Sequence, residues 1–204
     1  MDIEAFFQSI GYLGIFICVF IESGVIFGLV LPLPGFSLVF TASVLTATSH
    51  KFNLLAVVAV GVAACILGYV VGYETGRRYG PKVFYREHSR FFNRDQGEKT
   101  KKFMKRYGYP TLVIGRFLPF MHSATPLLSG FAKTPYLPFT ILNVIGAVLW
   151  TLSAVSLGYF LGQSVPHAQY IAIPFVIILV VLANTKPGRA IASKINAKLD
   201  EADS

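Results

Sequence analysis

Arg116 and His122 are the only charged or readily protonated side chains in the largely apolar stretch GRFLPFMHSATPLLSG (115–130). Ionisable groups at membrane depth are costly and usually face a protein or water-filled interior. A guanidinium is a forked, permanent cation suited to phosphate oxygens, and an imidazole changes charge near neutral pH. Ser123 and Thr125 add hydroxyls beside them. Pro119 and Pro126 each remove a backbone donor and are expected to break a continuous helix. The stretch predicts a broken, re-entrant segment lining a site for an anionic lipid, with Arg116, His122, Ser123 and Thr125 as substrate-binding candidates.

Glu22 is the other conspicuous ionisable group, set in the apolar run 10–31 beside Ser23 and Gly24. One reading makes it a helix-end glutamate reaching for the interface. The preferred reading is an intramembrane carboxylate that carries a proton or exchanges a cation. Pro34 and Gly35 then break the chain, and 36–50 is apolar but about half of a bilayer crossing. Its hydroxyls, Thr41, Ser43, Thr46, Thr48 and Ser49, suit a re-entrant hairpin whose freed backbone groups need partners, with a short core helix as the alternative.

The elements that must position these groups follow from hydropathy and charge. The chain has 204 residues, 54% hydrophobic and 14% charged, with a formal charge of +8. This composition predicts an integral membrane protein and argues against a soluble domain or nucleic-acid binding. Residues 53–73, 137–162 and 168–184 are long and apolar enough to span. Between 77 and 106, eleven bases outweigh three acids (Glu87, Asp95 and Glu98), which accounts for the whole formal charge. The positive-inside rule puts this loop, 76–108, and the basic tail, 186–204, in the cytoplasm. An even number of crossings must join two cytoplasmic segments, so 111–130 enters from the cytoplasm and returns, while 36–50 opens outward. Cys18 and Cys65 lie in apolar runs without a metal-binding or redox spacing, so neither a metal nor a cofactor is expected.

FNLLAVVAVGVAACILGYVVG (52–72) aligns without a gap over LNVIGAVLWTLSAVSLGYFLG (142–162). Each copy follows a Leu-Pro-broken segment and the two cross the membrane oppositely, the pattern of an inverted repeat. The expected fold is an all-α polytopic membrane protein, an inverted repeat with two opposed re-entrant hairpins and about four spanning helices. Repeat one covers 10–75 and repeat two 109–163, within a membrane domain of 1–165. A C-terminal spanning helix occupies 166–185.

The chain resembles the DedA family of VTT-domain membrane proteins. The matching features are Glu22, LPLPG (31–35) with Ser37, GYVVGYETGRRYG (68–80), GRFLP (115–119), Pro126, Gly130, NVIGAVLW (143–150) and GYFLG (158–162). The resemblance covers roughly residues 10–165. It implies a bacterial inner-membrane lipid translocase, of the flippase or scramblase kind, for undecaprenyl phosphate or a phospholipid. Coupling to H+ or Na+ is part of that implication, with Glu22 matching the membrane carboxylate, Arg116 an essential arginine, and Ser37 a further binding candidate. Three positions depart from the family pattern: Phe36 stands for an acid, Tyr69 for Asp or Asn, and His122 for a second arginine. Loss of the acid and the arginine together keeps the charge balanced.

Two other functions compete. A lipid phosphatase using His122 as nucleophile lacks an orienting acid, since Pro126 stands four residues on, and lacks any Ser-Gly-His. No enzyme activity is expected. A non-transporting membrane scaffold would need Arg116 only as a structural partner. The expected partners are membrane lipids and a coupling cation, and self-association into a homo-oligomer is compatible with the sequence.

Overall fold

The computed structural model describes residues 3–24, 35–49, 52–84, 110–117 and 121–165. Every regular element among them is a helix: α1 (Ile3–Gly24), α2 (Gly35–Ser49), α3 (Leu54–Phe84), α4 (Pro110–Ile114), α5 (Met121–Phe131) and α6 (Tyr136–Ser164). A 3-10 turn, Gly115–Phe117, extends α4. Pro34, Pro119, the basic segment from 85 to 109, the expected spanning helix 168–184 and the tail lie outside the described residues.

Two helical stretches, Leu54–Gly80 and Tyr136–Ser164, are long and apolar enough to cross a membrane. Their outer faces carry Leu55, Leu67, Leu137, Ile141, Leu149, Leu157 and Phe160, all exposed. The buried set includes Ser23, Arg116, His122, Ser123, Thr125, Asn143 and Thr151. A water-soluble domain shows the reverse preference, whereas hydrocarbon solvates the apolar side and leaves polar groups to find each other inside.

Register contacts fix the helix directions. Gly61 meets Thr151, Ile66 meets Asn143, and Tyr73 meets Phe139, so α3 and α6 run antiparallel. Tyr12 and Gly24 of α1 meet Asn53 and Gly68 of α3, so these two run parallel. Phe36 meets Trp150 and Ala47 meets Gly162, so α2 runs with α6. In the other half, Arg116 meets Asn143 and Gly146 of α6, and Pro126 and Phe131 of α5 meet Gly72 and Gly80 of α3. α2 thus docks on α6 and α5 on α3, each on the long helix of the opposite half, while α1 and α4 pack on the long helix of their own half. Gly61 and Thr151, matched positions of the two aligned copies, touch each other.

The structure corrects three expectations. The expected hairpin at 36–50 is not one as far as it is described: Gly35–Ser49 forms a single helix of 15 residues, about 22 Å long. Gly24, the last described residue of α1, is level with Gly68 in the middle of α3, and Glu22 lies half a turn before it. α3 continues to Phe84 and takes Arg77, Arg78 and Lys82 out of the basic loop. Pro126 does not break the chain; it lies inside α5 and its ring packs on Gly72. Glycine there lets the ring approach the α3 backbone, and that packing holds the helix through the missing N–H.

The turn between α5 and α6 explains why Lys133, Thr134 and Pro135 stand together. Thr134 N–H donates to Ser129 O, and Lys133 N–H donates to Gly130 O, the two bonds of a Schellman cap. Lys133 occupies the left-handed position with φ 56°. Pro135 precedes α6, and Pro138 falls in its first turn, where no intrahelical donor is lost.

Candidate functional site

The ends of α1 and α2, the 3-10 turn and the start of α5 converge halfway along α3 and α6. Ser123 Oγ donates to Glu22 O at 2.6 Å. Ser23 Oγ lies 3.2 Å from His122 Nε2, with the donor set by the ring tautomer, and 3.9 Å from Cys65 Sγ. These bonds tie the end of α1 to the first turn of α5.

Arg116 is the centre of the cluster. It is 2% exposed, its Nη2 donates to Asn143 Oδ1, and its guanidinium carbon sits 3.5 Å from the centroid of the Tyr69 ring. Asn143 Nδ2 donates to Ile66 O at 3.1 Å, which fixes the amide so that its oxygen faces Arg116. Gly146, one turn on along the same face of α6, leaves room for the Arg116 side chain: a Cβ there would lie 3.0 Å from its Cδ and Nε. Arg116 Nε and Nη1 and the Tyr69 hydroxyl have no hydrogen-bond partner among the described residues. The one ion pair among those residues is elsewhere, between Arg78 and Glu74 at 3.3 Å on α3. The guanidinium is thus buried with no carboxylate among the described residues and with donors unpartnered, an arrangement that an anionic oxygen acceptor would satisfy.

His122 stacks on Trp150, with centroids 5.2 Å apart and planes 21° from parallel, and its ring meets Tyr69 at 5.7 Å and 62°. Phe36 meets the same indole edge-on at 5.5 Å. The two positions that would hold an acid and an arginine therefore share one aromatic neighbour.

Glu22 belongs to an adjoining feature. Its Oε2 accepts the Gly35 N–H at 2.7 Å, so the carboxylate caps the start of α2, where a negative charge is favoured. The absence of a Cβ at Gly35 makes this possible, since a methyl would collide with the carboxylate. Ser37 is half-buried in the first turn of α2, with no hydrogen bond described to the Arg116 group. Thr125 Oγ1 donates to Met121 O, and Ser123 to Glu22 O, so both hydroxyls have main-chain partners. Among the described residues no three His, Cys, Asp or Glu side chains come together to hold a metal.

Tyr69, Asn143, Gly146 and Trp150 were not singled out from sequence as parts of the site. The signal for two of them was present: an amide in an apolar spanning helix followed three residues later by glycine puts a polar group and a gap on one face.

The VTT domain model matches residues 33–160, well over half of the chain. Protein DedA of Escherichia coli K12 is 33% identical over 179 residues, covering 87% of this chain and 80% of that protein. An uncharacterised membrane protein of Mycobacterium tuberculosis H37Rv is 34% identical over 183 residues, covering 89% of this chain and 78% of its own length. One from Mycobacterium leprae is 34% identical over 160 residues, covering 78% and 70%. No solved structure matches. An inside-out polarity, spanning helices around a buried arginine, and these matches together make the chain a helical membrane protein of the DedA family, the family of the VTT domain.

Proposed function

We propose that the protein is a lipid translocase that carries an anionic headgroup past Arg116, and that it is a transporter without enzymatic chemistry. The observation that carries this reading is the Arg116 guanidinium: 2% exposed, without a carboxylate partner among the described residues, and halfway along two apolar helices. An isolated cation there destabilises the fold unless an anion visits it.

On this reading α1–α2 and α4–α5 are two re-entrant hairpins entering from opposite faces, each returning to the face it came from. The antiparallel α3 and α6, the reciprocal docking and the contact between Gly61 and Thr151 support an inverted repeat. The hairpins are then α1–α2 and α4–α5 as pairs, rather than 36–50 alone. Charge places the basic segment after α3, the mouth of α4–α5 and the C-terminal tail in the cytoplasm, and the membrane is the bacterial inner membrane. Glu22 is the coupling residue: taking up a proton or releasing a cation changes how strongly its carboxylate holds the Gly35 amide, and with it the joint between α1 and α2.

Flipping of fluorescent anionic phospholipids and a polyprenyl phosphate in proteoliposomes tests this. Arg116→Ala is expected to abolish transport in protein that still inserts and extracts normally; wild-type rates in that variant would overturn the proposal. A second reading, a scaffold in which Arg116 only braces α4 against α6, draws on its bond to Asn143. It predicts that Arg116→Ala lowers the melting temperature and that the wild-type protein moves no lipid.

A further inference from the structure

The charge of the headgroup is written into the cluster that would receive it. Arg116 is the one permanent cation among the described residues there. Tyr69, Asn143, Ser23, Cys65 and Trp150 around it add no positive charge, and among the described residues two further titratable neighbours remain. Glu22 adds no positive charge in either protonation state, and its carboxylate is turned to the Gly35 amide. His122 lies against Trp150 and Tyr69 with Nε2 toward Ser23. Among the described residues no acid or second guanidinium opposes it, because the neighbouring position across Trp150 is Phe36.

The unpartnered polar atoms around the guanidinium are likewise few among the described residues: Arg116 Nε and Nη1, the Tyr69 hydroxyl and His122 Nδ1, and of these only the two Arg116 nitrogens carry a permanent charge. A phosphodiester presents two non-bridging oxygens that share one negative charge. A phosphate monoester presents three, with about 1.5 to 2 negative charges near neutral pH. In an apolar interior one guanidinium neutralises the first charge and leaves the second uncompensated, at a heavy cost. We propose that this site selects a monoanionic phosphodiester headgroup, as in phosphatidylglycerol, over a phosphomonoester dianion, as in phosphatidic acid or a polyprenyl phosphate. The selectivity rests on the translocase reading above and adds the charge class of its substrate.

The test compares phosphatidylglycerol and phosphatidic acid with identical labelled acyl chains, in proteoliposomes of the full chain at mildly alkaline pH, where the monoester is doubly charged. Phosphatidylglycerol is expected to cross faster by about tenfold or more. Equal rates, or faster phosphatidic acid, would overturn the charge assignment and leave the translocase reading standing. No movement of either lipid would overturn both. His122→Arg adds a second permanent cation and is expected to narrow the ratio; an unchanged ratio in a folded variant counts against the proposal. Trp150, the chain's single tryptophan, gives a readout on the unmutated protein. In detergent, short-chain phosphatidylglycerol is expected to change its fluorescence at lower concentration than short-chain phosphatidic acid, and the opposite order overturns the assignment. A response to soluble dimethyl phosphate as strong as to the lipid would replace the lipid by a solute and overturn the translocase reading.

Discussion

His122 and Phe36 are joined through one indole: His122 lies nearly flat on Trp150 and Phe36 meets it edge-on. Where the family pattern has a cation and an acid, this chain has two rings around a third. A buried ion pair is strongly destabilised by loss of one partner, whereas exchanging both for well-packed apolar groups is close to neutral.

The paired exchange is testable in reverse. Phe36→Glu and His122→Arg singly are each expected to lower stability by about 3 kcal/mol or more, because each buries an unpaired charge. The double variant is expected to recover about 1–3 kcal/mol of coupling. Melting curves of the four proteins in one detergent measure it; additive losses would mean that the two positions do not communicate through Trp150.

Asn143 should separate folding from anion binding. Asn143→Ala leaves Arg116 Nη2 without a partner, removes the second donor to Ile66 O, and is expected to cost about 1–3 kcal/mol. Asn143→Asp instead supplies a carboxylate to the guanidinium. The expected outcome is a protein that folds at least as well as the alanine variant but has lost lipid movement, since the site's charge is neutralised internally. Retained flipping in Asn143→Asp would remove Arg116 from the transport path.

At the α1–α2 joint, Glu22→Gln keeps an acceptor for the Gly35 amide and removes only the titration. Stability is expected to change by about 1 kcal/mol or less, and any dependence of flipping on a pH gradient is expected to disappear. Gly35→Ala drives a methyl into the carboxylate and should disable the joint at every pH. Flipping rates with and without a gradient distinguish the two, and a gradient response that survives Glu22→Gln would exclude Glu22 as the coupling residue.

Lys133 offers a stabilising change. It is exposed and holds φ 56° at the end of α5, a conformation that costs a residue with a Cβ about 1 kcal/mol. Lys133→Gly is expected to raise stability by about 0.5–1 kcal/mol without altering transport. Denaturant or thermal unfolding would register it, and a lower melting temperature would show that the lysine side chain makes a contribution of its own.

Much of the fold was legible because membrane helices announce themselves by length and apolarity. The spans around 53–73 and 137–162 needed nothing more, and Arg116 stood out as a cation in an apolar stretch. What pattern alone missed depends on partners distant in sequence. Pro126 reads as a break until Gly72 is placed beneath it. Glu22 reads as a mid-helix carboxylate until the start of α2 is brought to it. Ser123 and Thr125 read as ligands for a headgroup, but main-chain carbonyls at Glu22 and Met121 take their hydroxyls. Asn143 and Asn53 fall at matched positions of the two aligned copies, although the two do different work. Asn53 Oδ1 accepts from Ala56 N–H at the start of α3, and Asn143 orients the guanidinium.

The glycines at 68, 72 and 76 of α3 face main-chain oxygens of Phe20, Gly24 and Leu127. A docking surface made of backbone against backbone is indifferent to the side chains that the partner helices carry elsewhere. It ties these few positions, with Gly24 of α1 and Gly130 of α5, to glycine and leaves the remaining positions of α1 and α5 freer to drift in residue type without undocking. Such a scaffold lets the chemistry at the tips be rewritten, with a ring at 122 or a phenol at 69, while the helices that present it stay in place. Diversification of substrate within this architecture would then proceed by exchanging a handful of tip residues, with the glycines as the part of the sequence least able to change.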